Sequence, residues 1–145
     1  MRKLTAFLSI LLFCLTISGL AQPQQLSTPF DHITSVNAIG QEQLLITQSK
    51  GEYKAKLFDI AKDSVIHRFI HAGLGFGQAE SIRAADYHQQ SKQFIFYTKF
   101  QRLIKTDSTG KVIAQTQTNI PNVNHICSAS DKTVQAFAFV APNKS

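Results

Sequence analysis

The sequence lacks tryptophan and has few of the residues that mark special protein classes. Its 145 residues include two cysteines, four prolines and seven glycines. The low cysteine content excludes a disulfide-rich scaffold, and the low proline and glycine content excludes collagen and low-complexity repeats. Because 43% of the residues are hydrophobic and 17% are charged, intrinsic disorder is excluded too. A single long apolar run excludes a multi-pass membrane protein.

That apolar run lies at the amino terminus and has the pattern of an export signal. Arg2 and Lys3 precede an apolar stretch over 4–20, and Gly19-Leu20-Ala21 supplies the small residues of a signal-peptidase site. The rival is a membrane anchor, but the run is marginal for a span and no basic stop-transfer cluster follows it. We predict a signal helix over 1–21, cleavage after Ala21, a linker over 22–32, and export to the periplasm or the extracellular space without a stable membrane span.

Removal of 21 residues leaves a mature chain of 124, with 13 basic residues, nine acidic residues and one cysteine. The basic residues are scattered, whereas a nucleic-acid site needs a dense stripe with exposed aromatic residues between the charges. We therefore expect no nucleic-acid partner. Cys127 follows Ile126 in an apolar segment, so we expect it to be a small buried hydrophobic residue rather than a nucleophile.

Three segments of the chain repeat the same order of elements, starting at Ile33, Ile82 and Val123. Each begins with a strand, a polar turn and a second apolar strand, and the first two continue through a third and a fourth strand. The repeat predicts blade one over 33–72, blade two over 81–120, and half of a third blade over 123–145.

Several predicted strands are apolar on both faces, as in Leu44-Leu45-Ile46 and Phe94-Ile95-Phe96-Tyr97. Such a sheet needs packing on both sides. Four-stranded units of this kind, repeated every 40 to 50 residues, are typical of a β-propeller, and a β-sandwich is the rival. We predict an all-β fold of four-stranded antiparallel propeller blades in an incomplete ring. A short helix within 78–90 is an alternative, but the repeat assigns 82–87 to a strand.

A glycine-rich segment, His71–Glu80, connects the first two units. A dinucleotide fingerprint would need a third glycine at position 78 or 80, which hold Gln and Glu, and no phosphate-binding Lys-Ser/Thr follows. We therefore expect no cofactor here. The segment is interpreted as an inter-blade junction, in which glycine permits unusual backbone angles and close approach: Gly73, Gly75, Gly77, Gln78 and Glu80.

The junction resembles the Gly-x-Gly-Pro-Gly-Glu connection of exported bacterial six-bladed β-propellers of the TolB-like type. Gly73, Gly75 and Gly77 stand at its glycine positions, with Phe76 in place of Pro and Gln78 in place of Glu. Glu80 is a second candidate for that acid. The hairpin from Asp107 to Gly110 also resembles the family's turn between strands three and four. The resemblance covers about 33–140; it implies an envelope location and a binding role, and brings no catalytic set.

No set of residues predicts a catalytic or metal site. His67 and His71 are spaced for a metal on a helix, but on a strand four residues span about 13 Å at ~3.3 Å each, too far for one ion. Innermost strands line a propeller channel, so Asp86 and His125 are the two candidates that could meet there. Asp107 and Gly110 are assigned to a tight hairpin turn.

The sequence therefore predicts a non-enzymatic binding or scaffold protein whose partner is an unknown protein or glycan in the cell envelope. The alternative is an exported hydrolase or lyase with its site at the central channel.

Propellers close with four or more blades, whereas two and a half leave an open strand edge. This predicts either a fragment of a longer chain or self-association of copies through the open blade edge. Further blade-like repeats in the downstream coding DNA would support the fragment hypothesis.

Overall fold

The computed structural model describes residues 30–128 and the strand 134–138; the predicted signal peptide and residues 22–29 of the linker lie outside this part. The described residues form strands and turns without a helix, so none of their segments is a helix able to span a membrane. The helix considered within 78–90 is replaced by a strand. The ten strands are β1 (Ile33–Ile39), β2 (Gln43–Gln48), β3 (Tyr53–Asp59), β4 (Ser64–His71), β5 (Ile82–His88), β6 (Gln93–Thr98), β7 (Arg102–Thr106), β8 (Val112–Gln117), β9 (Val123–Ser128) and β10 (Val134–Ala138).

The strands form three separate antiparallel sheets in chain order. Strands β1 to β4 make the first four-stranded sheet, β5 to β8 make the second, and β9 pairs with β10 in the third. Within each sheet, every strand is hydrogen-bonded to its neighbour in sequence, as short turns between antiparallel strands allow. This order matches the predicted blades, and we call the sheets blade one, blade two and the third blade.

The first hairpin of every blade has the same irregularity. Pairing shifts by one residue between Ile33 and Ser35, between Ile82 and Ala84, and between Val123 and His125. A β-bulge at the same place in three hairpins defines which residues are structurally equivalent. The equivalent residues fall into three sets: Ile33, Ile82 and Val123; Val36, Ala85 and Ile126; and Asn37, Asp86 and Cys127.

Two apolar clusters hold the blades together. The cluster between blades one and two is rich in phenylalanine, and Phe69, Phe94 and Phe96 are at most 2% exposed. Their rings contact one another, with Phe69 and Phe94 centroids 4.6 Å apart. The cluster between blade two and the third blade is smaller: Ala84, Ile95, Tyr97, Val123 and Ile126. Blade two is therefore buried on both faces, which explains the continuous apolar run of β6.

The burial predicted for Cys127 is wrong, because its side chain is exposed. On β9 the neighbouring Ile126 is buried at 1% exposure and packs on blade two. Successive strand residues point to opposite faces, so Cys127 points away from blade two. Because Ile126 takes the buried face of the strand, Cys127 next to it takes the exposed face.

Candidate binding cleft at the inner strands

One position on the first strand links blade one to blade two and blade two to the third blade. The Asn37 Nδ2 donates a hydrogen bond to the Ala85 carbonyl oxygen over 3.3 Å. The equivalent residue of blade two, Asp86, accepts a hydrogen bond through Oδ2 from the Ser128 N–H over 2.7 Å. An amide donates where a carbonyl is met, and a carboxylate accepts where an N–H is met. In both links the side chain reaches a backbone group on the first strand of the next blade. The direction of donation is opposite, because Asn37 donates and Asp86 accepts.

The two predicted channel residues lie on adjacent first strands at different heights. Asp86 reaches Ser128 on β9, three residues beyond His125. Three strand residues span about 10 Å at ~3.3 Å each. The carboxylate of Asp86 thus bonds the backbone of the third blade, and His125 lies further back along the same strand.

A cleft opens beside these links, between the ends of β1 and β5 and the turns that follow them. Its volume is about 470 Å³, within the range of small-ligand sites. Its polar lining combines amide, carboxylate, ammonium and phenol groups, supplied by Asn37, Asp86, Gln89, Lys92 and Tyr87. The Tyr87 ring packs on Phe94 at 4.8 Å between centroids, which fixes one wall of the cleft.

Histidine and acidic residues are dispersed elsewhere. Within residues 30–128 and 134–138, no three histidine, cysteine or acidic side chains are grouped to hold a metal ion. On β4, the His71 Nε2 lies 3.1 Å from the Glu52 Oε1, and its ring lies 4.4 Å from the Tyr53 ring. His67 instead lies beside Phe69, with 6.1 Å between ring centroids.

The glycine-rich segment runs from the end of β4 to the start of β5, and Gly73 and Gly75 lie against the side chain of Gln78. The Gly75 N–H donates to the Gln78 Oε1 over 3.0 Å. A Cβ added at Gly73 would lie 2.3 Å from that oxygen, and one at Gly75 would lie 2.9 Å from it. A larger residue at either position would have to displace the Gln78 amide, and at Gly73 the φ of 149° favours glycine as well. Glu80 is exposed, and Gln78 is the residue enclosed by the loop.

Blade two holds this junction through side chains that the sequence did not single out. Arg102 at the start of β7 donates from Nη1 to the Leu74 and Gly75 carbonyls and from Nη2 to the Gln78 carbonyl, over 3.0 to 3.2 Å. The Gln115 Oε1 accepts from the Gly77 N–H over 2.7 Å. The guanidinium suits this role because its donors spread in a fixed plane.

The predicted hairpin turn joins β7 to β8. The Asp107 Oδ1 accepts hydrogen bonds from the Thr109 Oγ1 and from the N–H groups of Thr109 and Lys111, over 2.7 to 3.0 Å. Gly110 has φ of 91°, the left-handed backbone that favours glycine. The Thr109 hydroxyl and the Lys111 and Thr109 N–H groups stabilise the charged carboxylate, which lowers the pKa of Asp107.

The comparisons with known proteins bear on the fold. No protein family and no curated protein matches the chain. Among solved structures it is similar to the β-propeller domain of Cps50 (Swd1) from Myceliophteria thermophila, with a TM-score of 0.54 and 15% identity. The fold is a β-propeller. The similarity covers 72% of this chain and 32% of that one, so the chain spans about a third of its length. At this identity the likeness shows the fold alone.

Proposed function

We propose that this chain is an exported, non-enzymatic β-propeller that binds a glycan of the cell envelope in the cleft between β1 and β5. The observation that carries the proposal is the lining of that cleft. Asn37 and Gln89 offer amide donors and acceptors, Asp86 offers a carboxylate, and Lys92 offers an ammonium group. Sugar hydroxyls both donate and accept, so they match this mixture.

The way the apolar residues of the lining are packed favours a glycan over a protein segment, because Ile39 and Tyr87 already pack against the core cluster. Protein hot spots are aromatic or aliphatic anchors in desolvated pockets. Here Ile39, Ala38 and the Tyr87 ring are the apolar groups, and Gln89 and Lys92 are exposed at the rim. A protein ligand, the other partner class expected from the sequence, is an outcome of the test below.

Export and the TolB-like, six-bladed type belong to the same proposal. They are supported by the signal pattern over 1–21 and by the glycine junction around Gln78, whose loop geometry gives its glycines a physical role. Mass measurement of the chain recovered from the periplasm or medium tests export, with cleavage after Ala21 as the expected result. A full-length chain retained in the cytoplasm would contradict it.

No observation favours the enzyme alternative. A hydrolase or lyase needs histidine and carboxylate groups that converge on the channel. In the described part of the chain, Asp86 bonds a backbone N–H of the third blade.

The test is a screen of the purified chain on an array of envelope glycans, followed by titration calorimetry with the best ligand. The double variant Gln89→Ala, Lys92→Ala should weaken binding about tenfold or more, a loss of about 1.4 kcal/mol. The matched control is Gln90→Ala with Lys99→Ala, because both residues are exposed and lie outside the cleft. Equal binding by the two variants, or capture of peptides but no glycans, would overturn the proposal.

A further inference from the structure

Two apolar side chains on β1 are exposed at positions that are buried in the other blades. Ile33 is 51% exposed and Val36 is 52% exposed. Their equivalents are at most 7% exposed: Ile82 and Ala85 on β5, and Val123 and Ile126 on β9. The repeat therefore provides an internal reference for what normally covers these two positions.

In both reference cases the cover is the preceding blade. Ile82 and Ala85 belong to the cluster formed with Leu45 and Leu57 of blade one. Val123 and Ile126 belong to the cluster formed with Ile95 and Tyr97 of blade two. A propeller blade is thus the partner that fits the surface formed by Ile33 and Val36.

Backbone groups of the first strands follow the same logic. Asn37 binds the carbonyl of Ala85, and Asp86 binds the N–H of Ser128. The equivalents of those two groups on β1 are the Val36 carbonyl and the Ala38 N–H. The equivalent of Asn37 and Asp86 on β9 is Cys127, which is exposed. Within the described residues, no fourth sheet follows the third blade.

We propose that Ile33 and Val36 form a docking surface for the third blade of a second copy of this chain, packed head to tail. The contact repeats the interface between consecutive blades within one chain. In it, β1 of one copy packs against the third blade of the other copy. Such heterologous contacts form a ring when the rotation closes. The described residues of two copies supply six sheets, two of which have two described strands each, and six lies within the four to eight blades typical of propellers. The proposal is independent of the glycan cleft.

A disulfide trap tests which surfaces meet. Because Asn37 reaches Ala85, the equivalent of Val36, Cys127 of a second copy is expected beside Val36. The full chain carrying Cys14→Ser and Val36→Cys should form an intermolecular disulfide between positions 36 and 127 under mild oxidation, identified by peptide mass mapping. Ile113→Cys on β8 is the matched control, since Ile113 is 47% exposed on a strand outside this surface, and it should not form the corresponding link.

Sedimentation measures the association itself. The Cys14→Ser chain should sediment as a dimer or larger ring, and Val36→Asp should shift it to monomer while Ile113→Asp leaves it assembled. Circular dichroism confirms that each variant keeps its β-sheet signal, and the trap does not rely on the charged variants.

Three results would each overturn the proposal. One is a folded monomer at all concentrations tested. Another is a disulfide trap that links position 36 to position 36, which indicates a symmetric contact. The third is hydrogen exchange showing that residues before 30 of the same chain cover β1.

Discussion

Blade two packs on its two neighbours through apolar clusters of different size. Towards blade one, it contributes to a cluster with three tightly packed phenylalanine rings and residues from all four strands of its neighbour's sheet and the junction. Towards the third blade, the contact comprises five buried residues and a hydrogen bond that the Asp86 carboxylate accepts from the Ser128 N–H. Buried apolar area sets most of the stabilisation. The chain should therefore consist of a stable pair of blades with a less stable third blade attached.

Phe69→Ala tests the stronger interface and should have the largest effect. The side chain is 1% exposed and contacts Phe94 and Phe96, so truncation should lower the free energy of unfolding by about 3–5 kcal/mol. Urea denaturation followed by circular dichroism measures it. Phe100→Ala is the control, because Phe100 is 44% exposed, and its change should stay within about 0.5 kcal/mol.

Ile126→Ala tests the weaker interface. Loss of a buried isoleucine costs about 2–5 kcal/mol, and we expect the lower end because Ile126 lies in the smaller cluster. Hydrogen exchange should accelerate in β9 while the amides of β2 and β6 remain protected. Equal acceleration in all blades would show that the two interfaces unfold as one cooperative unit.

Arg102→Ala tests the junction that joins the two stable blades. It removes charge-assisted hydrogen bonds to three carbonyls, which should cost about 1.5–3 kcal/mol. Arg102→Lys should recover little of this, because one ammonium group cannot reproduce a planar fork of donors. Full recovery by lysine would show that charge, rather than geometry, holds the loop. Chemical denaturation of both variants decides between the two.

Asp107→Ala should have the smallest effect and should reveal itself through pH. The pKa of Asp107 is lowered in the folded chain from its ordinary 3.8. Its carboxylate therefore stabilises the fold at pH above the ordinary value, and this contribution is lost as the pH falls through the lowered pKa. The difference in denaturation midpoint between the wild type and Asp107→Ala should be clear at pH 7 and shrink in acid. Ser108→Ala, in the same turn, should show no such pH dependence.

The blades could be predicted because sheets buried on both faces leave a continuous apolar pattern. The run Phe94-Ile95-Phe96-Tyr97 is buried on both sides, and the repeat assigned 82–87 to a strand against a local helical spacing. Periodicity repeated along a chain is stronger than the preference of one segment. The turn at Asp107 and Gly110 was predicted from short-range information, namely the backbone preferences of Asp and Gly.

The cleft lining as a whole, and the contacts of Arg102 and Gln115 with the glycine junction, could not be predicted from residue spacing alone. Cys127 was expected to be buried because Ile126 beside it is apolar, but adjacent residues of a strand face opposite sides of the sheet, and Ile126 takes the buried side. Asn37 could have been found, since a shift of 49 residues places it on Asp86. Arg102 could not, because an arginine at the start of a strand is ordinary until the loop that it holds is in place.

The side chains that hold the glycine junction come from the blade that it enters, while its backbone pairs with His71 of blade one through Gln78 and Ala79. Arg102, Gln115 and Val112 all belong to blade two, and all meet the segment between Leu74 and Gln78. A transplanted or duplicated copy of blade two would therefore have to include the glycine junction that precedes β5. The boundary between the two blades lies just after β4, near Ala72. A circular permutant opened there should keep the contacts of Arg102 and Gln115 with the junction.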